Sequence, residues 1–281
     1  MREMTFRPRQ ETIKFHRFRI EKLDAQWNIA FRGNRRRTCQ SRIEGKTTPS
    51  QAIEYRTALG REDLEAAFRL LHRRYCAVGL SSAYDRRMRI LPFHFWDQTQ
   101  VFVARRGAQV LGCITLITDC GPQKLPIESM YPDSFAPLHR SGERIGEITS
   151  LAIEPGCSES SSRLFGELTR RTMFFARAAG LTRLAAVVHP RHAKFYRHAM
   201  GFDIIGGLAR VDHVEGQPGV PILGTVNDPT PYREKWRQFY FDGSFPIDEI
   251  RARPMHEIDR HYFGRYAARN VNTGSITSKA A

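Results

Sequence analysis

The sequence lacks a long apolar run, since no stretch of its 281 residues approaches the roughly 18 consecutive apolar residues of a membrane-spanning helix. Cysteine is scarce as well. There are five, with neither a CxxC pair nor the spacing of zinc ligands, which argues against a disulfide framework and a structural zinc site. The N-terminus carries charges where a signal peptide needs apolar residues. We therefore expect a protein of the reducing cytoplasm.

Acidic residues are too few to balance the basic ones. Lys and Arg number 44 against 29 Asp and Glu, a formal net charge of +15, which favours an anionic partner such as a nucleic acid, a membrane surface or an acidic protein. Residues 1–54 carry thirteen basic and six acidic residues. This arm is predicted to be either a basic amphipathic helix that lies on a membrane or an acidic partner, or a solvated or docked arm. Its apolar residues at roughly helical spacing are Phe15, Phe18, Leu23, Trp27 and Phe31.

Three segments differ in pattern. Residues 1–54 are the basic arm, residues 55–226 alternate apolar strands with amphipathic helices, and residues 227–281 form a helical C-terminal extension with a break or kink at Pro254. The order in the middle segment is β-α-β-β-loop-β-α-β-α-β-β, which predicts a mixed α/β domain. Its loop, residues 119–144, is rich in proline, and a connection of that length is usually functional or disordered.

One carboxylate stands inside an apolar strand, in the stretch RIGEITSLAIEP. Because side chains alternate along a strand, Glu147 shares a face with Glu143 and Thr149. Burial should raise the pKa of such a carboxyl group, and a raised pKa is how a general base near neutral pH arises. The alternative is a structural ion pair, in which Arg140 or Arg144 neutralises Glu147.

Several motifs together resemble a known family. The first helix contains RLLHRRYCAVGL, the loop and strand read LPIESMYPDSFAPLHRSGERIGEITSLAIEP, and a strand-ending HP precedes RHAKFYRHAMGF. The strand order and the last motif resemble the Gcn5-related N-acyltransferase (GNAT) superfamily. The longer matches are similar to the long-chain N-acyl amino acid synthases (FeeM-type), relatives of the acyl-homoserine lactone synthases. The resemblance covers about residues 55–226. It implies a mostly antiparallel sheet with splayed central strands, and transfer of a fatty acyl group from a thioester to the amine of an amino acid.

The resemblance implies two catalytic residues. Glu147 matches the strand acid in the pattern E-x-[ST], whose implied role is to take the proton of the amine, and Tyr196 matches a helix tyrosine implied to protonate the departing thiolate. Four residues separate Tyr196 from Gly201, where three are usual. One extra helical residue rotates a side chain by roughly 100°, so the alternative is that Tyr196 points into the core. Ser150 stands where the lactone synthases have an arginine, which counts against that particular assignment.

The donor is predicted to be the phosphopantetheine thioester of an acyl carrier protein, with no cofactor bound tightly. Coenzyme A enzymes of the superfamily have an R/QxxGxG/A loop whose N–H groups hold the pyrophosphate, but the stretch here, GCSESSSRLFGE, lacks that glycine pair. An acidic carrier protein would be attracted to a basic chain. Acyl-CoA is the alternative donor. The predicted donor-binding residues are Leu151, Ala152, Ile153, Ser161, Ser162 and His189. The predicted docking residues for the carrier are Arg163, Arg170 and Arg171.

The acceptor site is predicted from charge type and position. Arg140 or Arg144 could pair with the carboxylate of the amino acid, and Glu128 could hold its ammonium group. Direct transfer requires no nucleophile from the enzyme, so Cys113 and Cys157 are interpreted as small buried hydrophobes.

Three further points concern the rest of the chain. His189 and His192 lie three residues apart without a third ligand nearby, so no metal site is expected. The aromatic residues of the extension either cover an acyl tunnel or form a small helical core. The alternative to an enzyme is an idle domain whose basic arm binds a membrane or nucleic acid, although no RNA-binding motif is present. The aromatic residues concerned are Trp236, Phe239, Tyr240, Phe241, Tyr262 and Phe263.

Overall fold

The computed structural model describes residues 52–82, 87–157 and 159–267. Residues 1–51 of the basic arm, for which a surface-bound helix and a solvated or docked arm are both predicted, lie outside these ranges, as do the last residues of the C-terminal extension. No helix in the described ranges is long and apolar enough to cross a membrane.

Strands and helices alternate through the described chain. The strands are β1 (Glu54–Thr57), β2 (Thr99–Arg106), β3 (Gln109–Thr118), β4 (Ile145–Ile153), β5 (Arg183–Val188), β6 (Asp203–Ile204), β7 (Ala209–Val211) and β8 (Gln217–Thr225). The helices are α1 (Arg61–Ala77), α2 (Pro126–Met130), α3 (Pro132–Arg140), α4 (Ser161–Ala178), α5 (Pro190–Met200), α6 (Glu234–Phe241), α7 (Ile247–Ile250) and α8 (Glu257–Ala267).

The strands form one open sheet in the order β1-β2-β3-β4-β5-β8-β6, and β7 pairs with the far end of β8. Every pairing is antiparallel except that of β4 with β5. The predicted mixed α/β class and mostly antiparallel sheet are therefore confirmed.

The connection 119–144, expected from the sequence to be either functional or disordered, is ordered and largely helical. It folds into α2 and α3, and each helix has a proline at its first position, Pro126 and Pro132. A proline is well suited to that position, because its fixed φ is helical and the first N–H has no partner within the helix. The same prolines read as loop signals when the sequence alone is considered.

Each face of the sheet is covered by its own helices. On one face α4, α5 and α6 pack on apolar residues of β2, β3 and β5. On the other face α1 and α8 cover the β2–β3 side, while α2 and α3 cover the β4–β5–β8 side. Alternating side chains along each strand supply both cores, as a sheet buried on both faces requires.

The C-terminal helices pack against the rest of the domain. Tyr240 of α6 is fully buried, and its hydroxyl lies 2.8 Å from the Thr169 hydroxyl of α4. Phe263 of α8 meets Phe68 of α1 edge to face, with ring centroids 5.2 Å apart. The predicted break at Pro254 is confirmed, since α7 ends at Ile250 and α8 starts at Glu257.

Candidate active site

The parallel strands β4 and β5 pair over only three residues and then separate. Their pairs run from Ile145 with Arg183 to Glu147 with Ala185. Beyond this point β4 stays paired with β3 and β5 with β8. Past these three pairs, the edges of β4 and β5 that face each other form no strand-to-strand hydrogen bonds, so a wedge opens between the two strands. We call this wedge the fork, and Glu147 stands at its closed end.

A β-bulge in β4 lies just inside the fork. Cys113 of β3 pairs with Ala152, whereas Thr115 pairs with Thr149, so Ser150 and Leu151 together oppose one residue of β3. Ser150 has φ 51°, a left-handed conformation that is uncommon outside glycine. A bulge of this kind bends the strand and changes the direction of its N–H groups. Here it does so next to the fork between β4 and β5.

The carboxyl group of Glu147 is buried among apolar residues on the α2–α3 side of the sheet. Its side chain is 3% exposed, and Oε2 accepts a 2.8 Å hydrogen bond from the N–H of Ile127 at the start of α2. Burial raises the pKa of Glu147 to about 8, and the negative charge of Glu128 acts in the same direction, while the Ile127 N–H opposes both. The raised pKa expected from the sequence is thus present, and it suits a general base.

The predicted ion-pair alternative for Glu147 is wrong. Arg140 is exposed, and Arg144 is exposed and donates to the Cys120 sulfur at 2.8 Å. No Lys or Arg among the described residues forms a salt bridge with Glu147. Glu143, on the same side of the strand, pairs instead with Arg183 at 2.7 Å.

Of the predicted acceptor residues, the structure brings only Glu128 next to Glu147. Glu128 is 9% exposed and lies 3.1 Å from the imidazole of His139. Arg140 and Arg144 lie near the outer end of β4 and make no described contact with either carboxylate. His139 and Ile127 were not predicted from the sequence, because the prolines of 119–144 indicate a loop and hide the two helices that carry these residues.

The predicted donor residues lie on β4, at the start of α4 and directly after β5. Leu151 and Ile153 are half-buried on the α4 side, while Ala152 is buried on the opposite side. Ser161 and Ser162 open α4, but the capping residue is Ser160, whose hydroxyl accepts the Arg163 N–H at 3.2 Å. Their role in binding the donor stays a prediction.

His189 lies at the end of β5 and caps α5. Its Nδ1 accepts the N–H of Arg191 at 3.4 Å, and burial together with the charge of Arg191 lowers its pKa. In the described chain, no group of three or more His, Cys, Asp or Glu side chains is arranged to hold a metal ion.

A family model described as N-acyl amino acid synthase FeeM matches residues 66–223. The match spans more than half of the chain, from α1 to β8. The chain belongs to this family. It is accordingly an N-acyltransferase.

Solved structures show the same fold as this FeeM-family chain. FeeM from uncultured soil microbes has a TM-score of 0.57 and 22% sequence identity, covering 67% of this chain and 98% of its own. The acyl-homoserine lactone synthase LasI has a TM-score of 0.50 and 16% identity, covering 69% and 96%. No curated protein matches the sequence.

Tyr196 of this FeeM-family chain lies on the α4 side of the sheet, opposite to Glu147. Its ring packs with Phe165, Phe195 and Phe202, at centroid distances of 6.5, 5.4 and 5.9 Å. Burial raises the pKa of Tyr196 to about 12. The ring therefore belongs to the apolar layer between α4 and α5, as the alternative from its spacing anticipated.

Two of the predicted docking arginines are used inside the molecule. Arg171 is 8% exposed and pairs with Glu249 at 2.8 Å and Glu167 at 2.7 Å. Arg170 donates to the backbone carbonyl of Asp242 at 2.6 Å and lies over three aromatic rings. The prediction that they dock a carrier protein is wrong, because both guanidinium groups hold the C-terminal extension against α4. Arg163 remains exposed.

The aromatic residues of the extension form packed cores. Trp236 stacks on Tyr240 with ring centroids 5.9 Å apart, and Phe239 meets Tyr240 edge to face. Phe241 contacts Tyr232 in the same way. Tyr262 and Phe263 belong to the other face of the sheet, against α1. The helical-core interpretation is therefore the one that the structure supports.

Proposed function

We propose that this enzyme transfers a long-chain acyl group from the thioester of an acyl carrier protein to the amine of an amino acid, by direct attack. The observation that carries the proposal is the position of Glu147, a buried carboxylate at the point where β4 and β5 separate. A base there can meet both an amine and a thioester held between the strands.

The reaction removes two protons from the nitrogen and exchanges one bond for another. Glu147 takes the first proton from the ammonium group, directly or through a water, and the free amine attacks the thioester carbonyl. The C–N bond forms, the C–S bond breaks with its electron pair leaving on the thiolate, and the second proton of the nitrogen is lost as the thiolate takes up a proton, so that the products are an amide and a thiol. Positioning of the two substrates is worth roughly 7–11 kcal/mol in favourable cases. No covalent intermediate on the enzyme is needed.

The bulge offers a place for the oxyanion. The backbone N–H of Leu151 lies in the bulge, where two residues of β4 oppose one of β3, whereas Ala152 is paired with Cys113. We assign the Leu151 N–H to the oxygen of the tetrahedral intermediate, a contribution typically worth about 3–4 kcal/mol. The pantetheine arm would lie along the free edge of β4, as an added strand does.

A basic surface on α5 and at the start of α6 supports a carrier protein as donor. The helix α5 follows β5 directly, and two of its cationic residues are exposed: Lys194 and Arg197. Arg233 and Lys235 at the start of α6 are exposed as well, and α5 contacts α6. We call these four residues the α5–α6 basic surface. It would attract an acidic carrier and increase its association rate.

Donor competition tests the proposal. We expect purified enzyme to use acyl carrier protein at least tenfold more efficiently than acyl-CoA of the same chain, with the acylated amino acid identified by mass spectrometry. The double variant Lys194→Glu/Arg197→Glu should lose this preference, since like charges repel the carrier. The matched control Arg251→Glu, an exposed arginine of the extension, should keep it. Equal use of both donors by the unmodified enzyme would instead support a coenzyme A-dependent enzyme.

A further inference from the structure

Each acyl transfer leaves one proton that must be removed from the active site. An ammonium group and a thioester give an amide and a thiol, and the two sides balance when one proton is released. In the proposed reaction Glu147 takes this proton, yet its side chain is 3% exposed. Burial raises the pKa of Glu147 to about 8, so the carboxyl group holds the proton at neutral pH. The next turnover therefore requires a route from Glu147 to solvent.

The neighbours of Glu147 within the sheet do not offer this route. Ile117 of β3 and Ala185 of β5 pair with Glu147, and both are fully buried hydrocarbon side chains. Glu143, farther along the same side of β4, is bound to Arg183 at 2.7 Å. A route for the proton must accordingly leave the sheet toward α2 and α3, which cover this side of β4.

A second buried carboxyl group lies beside Glu147 at the start of α2. Oε2 of Glu147 accepts the N–H of Ile127 at 2.8 Å, and Oε1 of Glu128 accepts the N–H of Leu125 at 3.3 Å. These N–H groups are two residues apart in the chain, so the carboxyl groups that accept their hydrogen bonds are neighbours. The negative charge of Glu128 is accordingly felt by the carboxyl group of Glu147.

An imidazole connects the second carboxyl group to the surface. Oε2 of Glu128, which the Leu125 N–H leaves free, lies 3.1 Å from Nε2 of His139 in the last turn of α3. The exposed fraction rises along this path, from 3% for Glu147 through 9% for Glu128 to 39% for the side chain of His139. An imidazole can both accept and donate a proton near neutral pH, which suits histidine to proton shuttling.

We propose that Glu128 and His139 form the route by which the proton taken up by Glu147 reaches solvent. The proton passes from Glu147 to Glu128, directly or through a water, then from Glu128 to His139, and from the imidazole to water or buffer. Each step breaks one bond to hydrogen and forms another, so Glu147 is again a carboxylate for the next turnover. Both residues are positioning residues that act through Glu147. The inference rests on the proposed role of Glu147 as the general base.

Rescue by external imidazole tests the surface end of the route. In a weakly buffered assay His139→Ala should lower kcat about tenfold and leave the KM for the amino acid within about twofold, because proton release slows while binding does not change. Imidazole added to the assay should restore most of the kcat of this variant and leave the parent unchanged. The matched control His261→Ala, an exposed histidine of α8, should behave as the parent does with and without imidazole.

Glu128→Gln tests the buried step. Glutamine still accepts the N–H of Leu125 but does not carry a proton, so kcat should fall while the KM for the amino acid stays the same. Imidazole should not restore this variant, because the block then lies at a position that is 9% exposed. A higher KM for the amino acid with an unchanged kcat would overturn the proposal and assign Glu128 to the ammonium group of the acceptor.

Two further results would overturn the route: a parent-like kcat in His139→Ala, or a loss of kcat that imidazole does not restore. Glu147→Gln, measured alongside, separates this inference from the proposed function. If Glu147→Gln is impaired and His139→Ala is not, Glu147 remains the base and the route alone is wrong. If Glu147→Gln keeps the kcat of the parent, the base assignment itself is wrong. Should His139→Ala not fold, His139→Gln decides by the same comparison.

Discussion

Glu147 is held in an environment that opposes its ionisation, and this has a consequence for stability. Its pKa in the folded protein is about 8, against an ordinary value of 4.5. The folded state therefore binds this proton more tightly than the unfolded state does. Its stabilising contribution is fully present below pH 4.5, falls as the pH rises from 4.5 to 8, and is flat above that.

We accordingly expect Glu147→Gln to remove part of the pH dependence of stability. The parent should lose up to about 1.4 kcal/mol per pH unit from this one group between pH 4.5 and 8, whereas the variant keeps the Ile127 hydrogen bond and has no proton to lose. Urea denaturation at pH 5, 6.5 and 8 measures the difference. If the free energy of unfolding changed with pH by the same amount in the two proteins, the pKa of Glu147 would not be raised.

Tyr196 gives the second prediction at the scale of a residue. Its ring fills space among Phe165, Phe195 and Phe202, and no hydrogen bond to its hydroxyl is formed within the described residues. Tyr196→Phe should therefore keep kcat within about threefold, and Tyr196→Ala should cost roughly 3–5 kcal/mol of stability, as large core truncations do. A loss of kcat of a hundredfold in Tyr196→Phe would instead assign the hydroxyl to protonation of the thiolate.

At the scale of an element, the bulge of β4 is the feature on which the fork depends. Ser150 adopts a left-handed conformation and is 5% exposed. Ser150→Gly should leave activity and stability nearly unchanged, because glycine adopts this conformation freely. Ser150→Val should lose about 1–2 kcal/mol and at least tenfold in kcat/KM, because a branched side chain resists it. Denaturation and steady-state kinetics check both variants, and an active, stable Ser150→Val would contradict this role of the bulge.

The elements of the domain could largely be predicted from the sequence, and the site in part. Apolar periodicity located β4, α4 and α5, and an acidic residue in an apolar strand identified Glu147. Periodicity could not reveal α2 and α3, because Pro126 and Pro132 serve as helix starts and loop residues alike. The partners of Glu147 were missed with them. The separation of β4 from β5 depends on strand register, which no local pattern in the sequence specifies.

At the scale of the whole molecule, arginines of α4 hold the C-terminal extension in place. Arg171 joins α4 to Glu249 of α7 and donates to the backbone carbonyl of Tyr55 at 2.9 Å. Arg171→Ala should cost about 2–3 kcal/mol, because it leaves the buried carbonyl of Tyr55 and two half-buried carboxylates, Glu167 and Glu249, without their partner. The control Arg163→Ala, on the same helix with an exposed side chain, should cost less than about 1 kcal/mol. Equal effects in urea denaturation would mean that the extension is held by its aromatic core alone.

The whole molecule thus divides its basic residues between two uses. Arg170 and Arg171 hold the extension against α4, whereas the residues of the α5–α6 basic surface stay exposed. Net charge alone could not separate the two groups, because it records the sign of a residue and not its partner. The proposed carrier protein is consequently expected at the α5–α6 basic surface.

The most direct test of the account is the pH dependence of kcat/KM for acyl transfer, with Glu147→Gln measured beside the parent. The kcat/KM profile of the variant depends on the ionisation of the amine substrate alone. The ratio of the parent's kcat/KM to that of the variant therefore isolates the ionisation of Glu147. We predict that this ratio rises about tenfold per pH unit below pH 8 and becomes level above it, following the pKa of about 8. A ratio that stays constant across this range would contradict the assignment of Glu147 as the general base.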